Sequence, residues 1–235
     1  MYYLIFNNKK TIDLGMKVSK RPNIPIPERN IEFKSIKGRD GDLTRDYKTY
    51  KDIKISVSLN FISEENNFIN KGAEISDWLY NIRDNRLIFS DNPNIYYKVK
   101  KIECNNIERS MKVIGRFIIT FVCDPYKYFL DNRTITINKT NTVINSPDFT
   151  CSSLPKLTVY GDGDITIKIN GKQFMLEKIE KNITVDSTLQ ECYRDIENTN
   201  YKMYGKFPKL ECGKNIIIWE GNVTKIEIKT NWRCL

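Results

Sequence analysis

Histidine is absent from the 235-residue sequence. The Cys-His and Ser-His nucleophile systems and the zinc frameworks that use histidine are therefore excluded. No two cysteines form a C-x-x-C pair, and single cysteines are typical of small buried side chains in a protein that folds in a cytoplasm. Disulfide bonds are the alternative, and the spacing does not define their pairing. The cysteines are Cys104, Cys123, Cys151, Cys192, Cys212 and Cys234.

Long hydrophobic runs are missing as well. The chain has no continuous stretch of the roughly 18 apolar residues that a membrane-spanning helix requires. The first eight residues are largely apolar, but Lys9 and Lys10 follow too early for the core of a signal peptide. The sequence therefore predicts no membrane span.

The formal net charge is +9, but the sequence has no dense block of lysine and arginine and no known nucleic-acid-binding motif. We interpret the charge as a solvated basic β surface. Two acidic pairs, Asp40 with Asp42 and Asp162 with Asp164, lie beside glycines in predicted turns, where carboxylates usually face water. We expect no enzymatic activity, no metal site and no cofactor.

The strongest strand pattern begins at Phe117 and alternates apolar side chains up to Cys123. Proline lacks the N–H of a sheet ladder, so we expect Asp124 and Pro125 to stop this strand. Together with Tyr126 and Tyr128 they predict a hinge between two domains, residues 1–130 and 131–235. The first domain is expected to be a β-sandwich-like domain with one packed helix.

The first domain shows one helical pattern. Ile75, Trp78, Leu79 and Ile82 recur at helical spacing, which predicts a helix over about residues 73–82 with an early break at Gly72. We expect Ser63 to cap it, with Glu64 and Glu65 in its first turn. The predicted strands are 2–6, 31–36, 53–60, 87–89, 96–102 and 113–122, with a short element around 11–18.

Two irregular segments separate the early strands. Residues 19–30 hold Pro22, Pro25 and Pro27, followed by Arg29, and predict an extended loop. The next is Gly38-Arg39-Asp40-Gly41-Asp42-Leu43, which predicts a tight turn with positive φ. No helix N-terminus follows to hold a phosphate, and the carboxylate spacing does not fit a calcium loop.

The second half contains short apolar segments with turn residues between them, which predict a β-sandwich without a helix. Asn170-Gly171 predicts a tight hairpin, and Gly161-Asp162-Gly163-Asp164 predicts a turn that ends a strand. Aromatic residues could give this sandwich a sugar-binding face, and the alternative is that they pack in the core. They are Tyr201, Tyr204, Trp219 and Trp232. The predicted strands are 134–137, 157–160, 165–169, 174–176, 183–186, 201–204, 209–212, 216–219 and 223–228.

The order of these motifs resembles the distal tail protein (Dit) family of long-tailed phages and related prophages. The resemblance covers nearly the whole chain. It is carried by the proline loop, by the Gly38–Leu43 turn, by the strand that ends in Phe121-Val122-Cys123-Asp124-Pro125-Tyr126-Lys127-Tyr128, and by motifs of the second half. The latter are Val185-Asp186, Cys192-Tyr193, Asn198, Phe207-Pro208-Lys209-Leu210, Gly213-Lys214-Asn215-Ile216-Ile217 and Trp232-Arg233.

The resemblance implies a structural hub in the virion, at the tail tip or baseplate, made in the bacterial host cytoplasm. Its first domain would form a homo-hexameric ring that joins the tail tube protein to the tail-associated hub protein (Tal), with the tape-measure protein as a further implied partner. Its second domain, galectin-like in fold, would hold receptor-binding proteins. We expect the proline loop and the Gly38–Asp42 turn at the subunit interface or lumen. A sandwich module that binds host cell-wall carbohydrate is the alternative function.

Overall fold

The computed structural model describes residues 1–65, 67–104 and 106–235. It divides into two compact units, Met1–Leu130 together with Leu235, and Asp131–Cys234. We call them the N-terminal and C-terminal units. Both are built mainly from β-strands, as the sequence predicts.

Eleven structural elements make up the N-terminal unit within the described residues. They are β1 (Leu4–Phe6), β2 (Lys9–Lys10), β3 (Met16–Val18), β4 (Arg29–Lys34), β5 (Leu43–Tyr50), β6 (Ile53–Ile62), α1 (Phe68–Tyr80), β7 (Arg86–Phe89), β8 (Ile95–Cys104), β9 (Glu108–Met111) and β10 (Ile114–Phe129).

One antiparallel sheet organises this unit, in the order β2-β1-β7-β8-β10-β6-β3, with β9 also paired to β10. Alternate residues of β6 point inward and are buried, because a strand has a period of two. Ten consecutive register pairs join β6 to β10, from Ile53 with Cys123 to Ile62 with Ile114. The core lies between this sheet and α1, where Trp78 donates its indole N–H to the Phe6 carbonyl at 2.8 Å.

The helix is confirmed, but its predicted beginning and end are wrong. It starts at Phe68, so Glu64 and Glu65 precede it and Gly72 lies inside it. Ser63 does not cap it, because its N–H and hydroxyl both donate to the Val113 carbonyl. Ile75, Trp78 and Leu79 are buried as the pattern predicts, whereas Ile82 lies beyond the end of the helix and is exposed.

The predicted end of the central strand is also wrong. β10 passes through Asp124 and Pro125 and ends at Phe129. Its pairing with β6 ends at Cys123, and its register with β8 shifts between Cys123 and Lys127. Proline is tolerated at such an irregular position because no regular ladder bond requires its missing N–H.

The C-terminal unit contains β11 (Thr134–Ile137), β12 (Thr142–Asn145), β13 (Lys156–Ile169), β14 (Lys172–Asp186), β15 (Glu191–Arg194), β16 (Glu197–Asn198), β17 (Met203–Gly205), β18 (Lys214–Lys229) and β19 (Arg233–Cys234), with a 3-10 turn at Asn200–Lys202. The sheet order is β11-β18-β13-β14-β15-β16. β12 pairs with β18, and β17 pairs with β14.

Three long strands of this unit replace several of the predicted short ones. Residues 161–164 form no chain-reversing turn, because β13 continues through them with a shift of register. Glycines let the strands approach there: a Cβ at Gly161 would lie 2.2 Å from the Asn222 carbonyl oxygen, and one at Gly221 would lie 2.5 Å from that of Asp164. The predicted Asn170-Gly171 hairpin is confirmed and joins β13 to β14, with positive φ at both residues.

Candidate functional site

The β4–β5 hairpin is an exposed structure of the N-terminal unit. β4 and β5 pair only with each other and form a separate two-stranded sheet. Seven of the eight residues of β5 are exposed. Apolar side chains are exposed as well, with Phe33 65%, Leu43 43% and Tyr47 41% accessible. The hairpin therefore presents partly exposed apolar surface to solvent.

Polar contacts stabilise the hairpin in place of a core. The Arg29 Nε donates to both Asp46 carboxylate oxygens, at 3.1 and 3.0 Å, and the Lys48 N–H donates to the same carboxylate. The Tyr47 hydroxyl donates to Glu32. The hydrogen bond from Arg29, followed by that from Lys48, holds the pKa of Asp46 below its ordinary value.

The predicted Gly38–Asp42 turn connects the two strands of this hairpin. Gly38 and Gly41 have φ of 83° and 74°, as expected for a turn that needs left-handed backbone. A Cβ built at either glycine meets no atom within 4 Å. Arg39, Asp40 and Asp42 are exposed. The requirement for glycine is thus one of backbone conformation, and the turn projects its charged side chains outward.

The predicted proline loop leads directly into β4. It has no regular secondary structure between Arg21 and Glu28, and Pro25 and Pro27 are at least partly exposed. Pro22 lies with Tyr2 and Tyr97 in the lining of a small cleft. The loop therefore precedes the hairpin as extended, accessible backbone.

The predicted hinge residues lie in β10, where Tyr126 contacts the end of the hairpin. Tyr50, the last residue of β5, packs edge-to-face against Tyr126 at 6.1 Å between ring centroids. The Lys100 Nζ lies 2.7 Å from an oxygen of Asp124 and 2.7 Å from one of Asp52. Burial alone would lower the pKa of Lys100, but these two carboxylates raise it above its ordinary value.

The Asp124 carboxylate also connects two aromatic rings to this cluster. It accepts a hydrogen bond from the Tyr128 hydroxyl at 3.0 Å. Tyr128 stacks on Tyr96 at 5.4 Å between centroids. The last residues of β10, beyond its pairing with β6, are thus held by charge and aromatic packing.

The predicted sugar-binding aromatics do not form one surface. Trp232 is only 8% exposed. Tyr204 pairs with Met175 and lies on the same face of the sheet as Glu220. Trp219 precedes Glu220 and pairs with buried Ile167, so it lies on the opposite face. Of the four candidates for stacking, Tyr201 is exposed, Trp232 is buried, and Tyr204 and Trp219 lie on opposite faces of the sheet.

Within the described ranges, no group of three or more acidic or cysteine side chains is placed to hold a metal ion. In the same part of the chain, no helix has the length and apolar character needed to cross a membrane.

Comparisons with known proteins agree with this architecture. The family model described as "Phage tail protein RIFT-related domain" matches residues 7–123. These residues belong to that phage tail family. The crystal structure of SPP1 Dit, described as a paradigm of the hub adsorption apparatus in phages that infect Gram-positive bacteria, matches with a TM-score of 0.74 at 13% identity, over 100% of both chains. No match was found among curated proteins.

The family match supports a phage tail domain over residues 7–123, and the structural match confirms the predicted resemblance to distal tail proteins at the level of the fold. Strand β5 is among the elements that sequence reasoning missed, and it matters most for this site. Its signal was present, since Thr44, Tyr47, Thr49 and Tyr50 have high β propensity and follow a glycine turn. The charged residues between them interrupt any apolar alternation. Both faces of the hairpin are exposed, so the strand forms without that pattern and was not predicted.

Proposed function

We propose that this phage tail protein forms a homo-hexameric ring at the tail tip. The ring joins the tail tube protein to the tail-associated hub protein and to the receptor-binding apparatus. The protein is then a structural adaptor, synthesised in the bacterial host cytoplasm and incorporated into the virion. The shared fold with SPP1 Dit supports the hub role.

The exposed β4–β5 hairpin is the observation on which this proposal rests. An isolated two-stranded hairpin is marginal in water, and this one exposes Phe33, Leu43 and Tyr47. A closed ring requires heterologous contacts in which each subunit inserts one surface into a different surface of its neighbour. A projecting hairpin with apolar side chains on both faces fits the inserting half of such a contact.

Size measurement of purified protein tests the proposal. We expect a hexamer by multi-angle light scattering and six-fold rings by negative-stain electron microscopy. Replacing Phe33 with Asp removes one buried aromatic contact at each of the six interfaces, at a cost of about 2 kcal/mol per contact. The F33D variant should therefore dissociate to folded monomers.

A matched control lies in the C-terminal unit. Phe149 is 93% exposed, so F149D introduces the same chemical change outside the proposed contact. Rings that survive F33D, or rings lost equally in F149D, would contradict the assignment of the hairpin. A wild-type protein that stays monomeric even when mixed with tail tube and hub proteins would contradict the ring itself.

A further inference from the structure

A second surface, in the C-terminal unit, remains unexplained by ring formation. β17 pairs with β14, and residues 206–209 follow β17. A groove of 560 Å³ lies between these residues and the end of the β13–β14 hairpin. Its floor includes the buried side chains of Ile169 and Phe174, and its wall includes Phe207 and Pro208. We call this space the 206–209 groove.

The charge around the 206–209 groove is of one sign. Lys172, Lys206 and Lys209 line it, and none of the described residues in its lining is acidic. Lys172 pairs with Glu211 at 3.3 Å, whereas Lys206 and Lys209 form no ion pair with the described residues. Two ammonium groups beside an apolar floor leave a local positive charge that the chain does not neutralise.

The groove has a defined shape. Gly205 pairs with Phe174 at the point where the two segments begin to diverge, and its φ is 113°. A Cβ at Gly205 would lie 3.1 Å from the Phe174 Cα and 3.2 Å from the Gln173 carbonyl oxygen. Glycine thus permits the close approach that fixes one end of the groove.

We propose that the 206–209 groove binds an acidic peptide segment of a partner protein, with an apolar side chain on the floor and carboxylates at Lys206 and Lys209. Charge complementarity indicates an anionic occupant. A wall polymer of sugars and phosphates would use the lysines but not the apolar floor. Residues 206–209 have no strand partner among the described residues, so their backbone is available to an extended chain.

The experiment measures fluorescence anisotropy of a labelled peptide in which Asp and Glu flank a central Phe, with the full-length protein. We expect saturable binding that weakens as salt increases. Replacing the central Phe with Ser should weaken binding through loss of the floor contact, and replacing the acids with Lys should abolish it. Absence of binding by the acidic peptide would overturn the proposal.

Charge-reversed proteins locate the site. The double variant K206E/K209E should weaken peptide binding by roughly tenfold or more. The control K139E/K229E makes the same charge change at two other exposed lysines and should bind as the wild type does. If thermal unfolding shows that K206E/K209E is not folded, K206Q/K209Q replaces it.

Equal affinity of the charge-reversed or neutralised variant and the control would overturn the proposal. So would tighter binding of poly(glycerol phosphate) than of the peptide, since that would identify a wall polymer as the ligand. The inference does not depend on the proposed ring, because peptide binding is measured in any assembly state. If the peptide does not bind, the proposed ring can still be tested separately by comparing ring assembly in F33D and F149D.

Discussion

The sheet body of the N-terminal unit and its β4–β5 hairpin are both antiparallel β structure, but they are stabilised differently. In β6 and β10 the inward residues are buried against α1. In the hairpin strands Asn30, Ile31 and Tyr50 are half-buried, and the other residues are exposed. The body therefore depends on its own core, whereas the hairpin depends on a turn, an ion pair and an anchoring tyrosine.

This difference indicates which apolar residues belong to folding and which to assembly. An apolar side chain in the body has its contacts inside the chain, so its removal lowers the stability of the monomer. An apolar side chain in the hairpin has few internal contacts, so its removal weakens binding between subunits and leaves the monomer stable. Monomer stability and ring formation should respond to different substitutions.

Replacing one phenylalanine in each region with alanine should give the largest difference in the free energy of unfolding. Phe121 is fully buried with its ring centroid 5.3 Å from that of Phe6, so F121A should cost about 3–5 kcal/mol. F33A should change the free energy of unfolding by less than about 0.5 kcal/mol, because it removes an exposed side chain. Urea denaturation of the two variants, measured on monomeric protein, makes the comparison. A similar cost for both would show that the hairpin packs on the body.

Adding a methyl group at one glycine of each region gives a smaller contrast. A Cβ at Gly115 would lie 2.3 Å from the Cζ of buried Phe61, so G115A should overpack the body at a cost of about 1–3 kcal/mol. A side chain at Gly41 meets no atom but is strained at φ 74°, so G41V should cost about 1–2 kcal/mol within the hairpin.

The measurement distinguishes global from local effects. We expect G115A to lower the thermal midpoint of the N-terminal unit, and G41V to speed amide exchange in β4 and β5 without changing that midpoint. G41V should also impair ring assembly if the turn lies at a subunit interface. Intact ring assembly and unchanged hairpin exchange in G41V would remove any special role for the turn.

The two regions also differ in how far sequence could predict them. The body follows the alternation rule, so Ile53 to Asn60 and Phe117 to Cys123 were predicted as strands and the structure confirms them. The hairpin strand Leu43–Tyr50 was missed because it has no buried face and therefore no apolar period. Apolar alternation therefore predicts strands that pack into the core of the chain. It does not predict strands, such as β5, that have no buried face.

Strand ends and site residues were predicted less well, for a related reason. Asp124 and Pro125 have the chemistry of a strand stop, but a register shift and the Lys100 cluster let the strand continue through them. Trp219 and Tyr204 are both aromatic, but strand register places them on opposite faces. Both outcomes depend on pairing between distant segments, which local sequence does not encode.

Acidification offers the most local test, because it affects the hairpin through one carboxylate. The folded-state pKa of Asp46 is lowered, so its contribution is present above its ordinary value of 3.8 and is lost as the pH falls through the folded-state pKa. Amide exchange at Lys48, followed by NMR and corrected for intrinsic rates, should therefore show protection that decreases only in this acidic range. D46N lacks the titrating group and should show reduced protection that is independent of pH across it. Equal pH dependence in D46N and wild type would mean that Asp46 does not stabilise the hairpin.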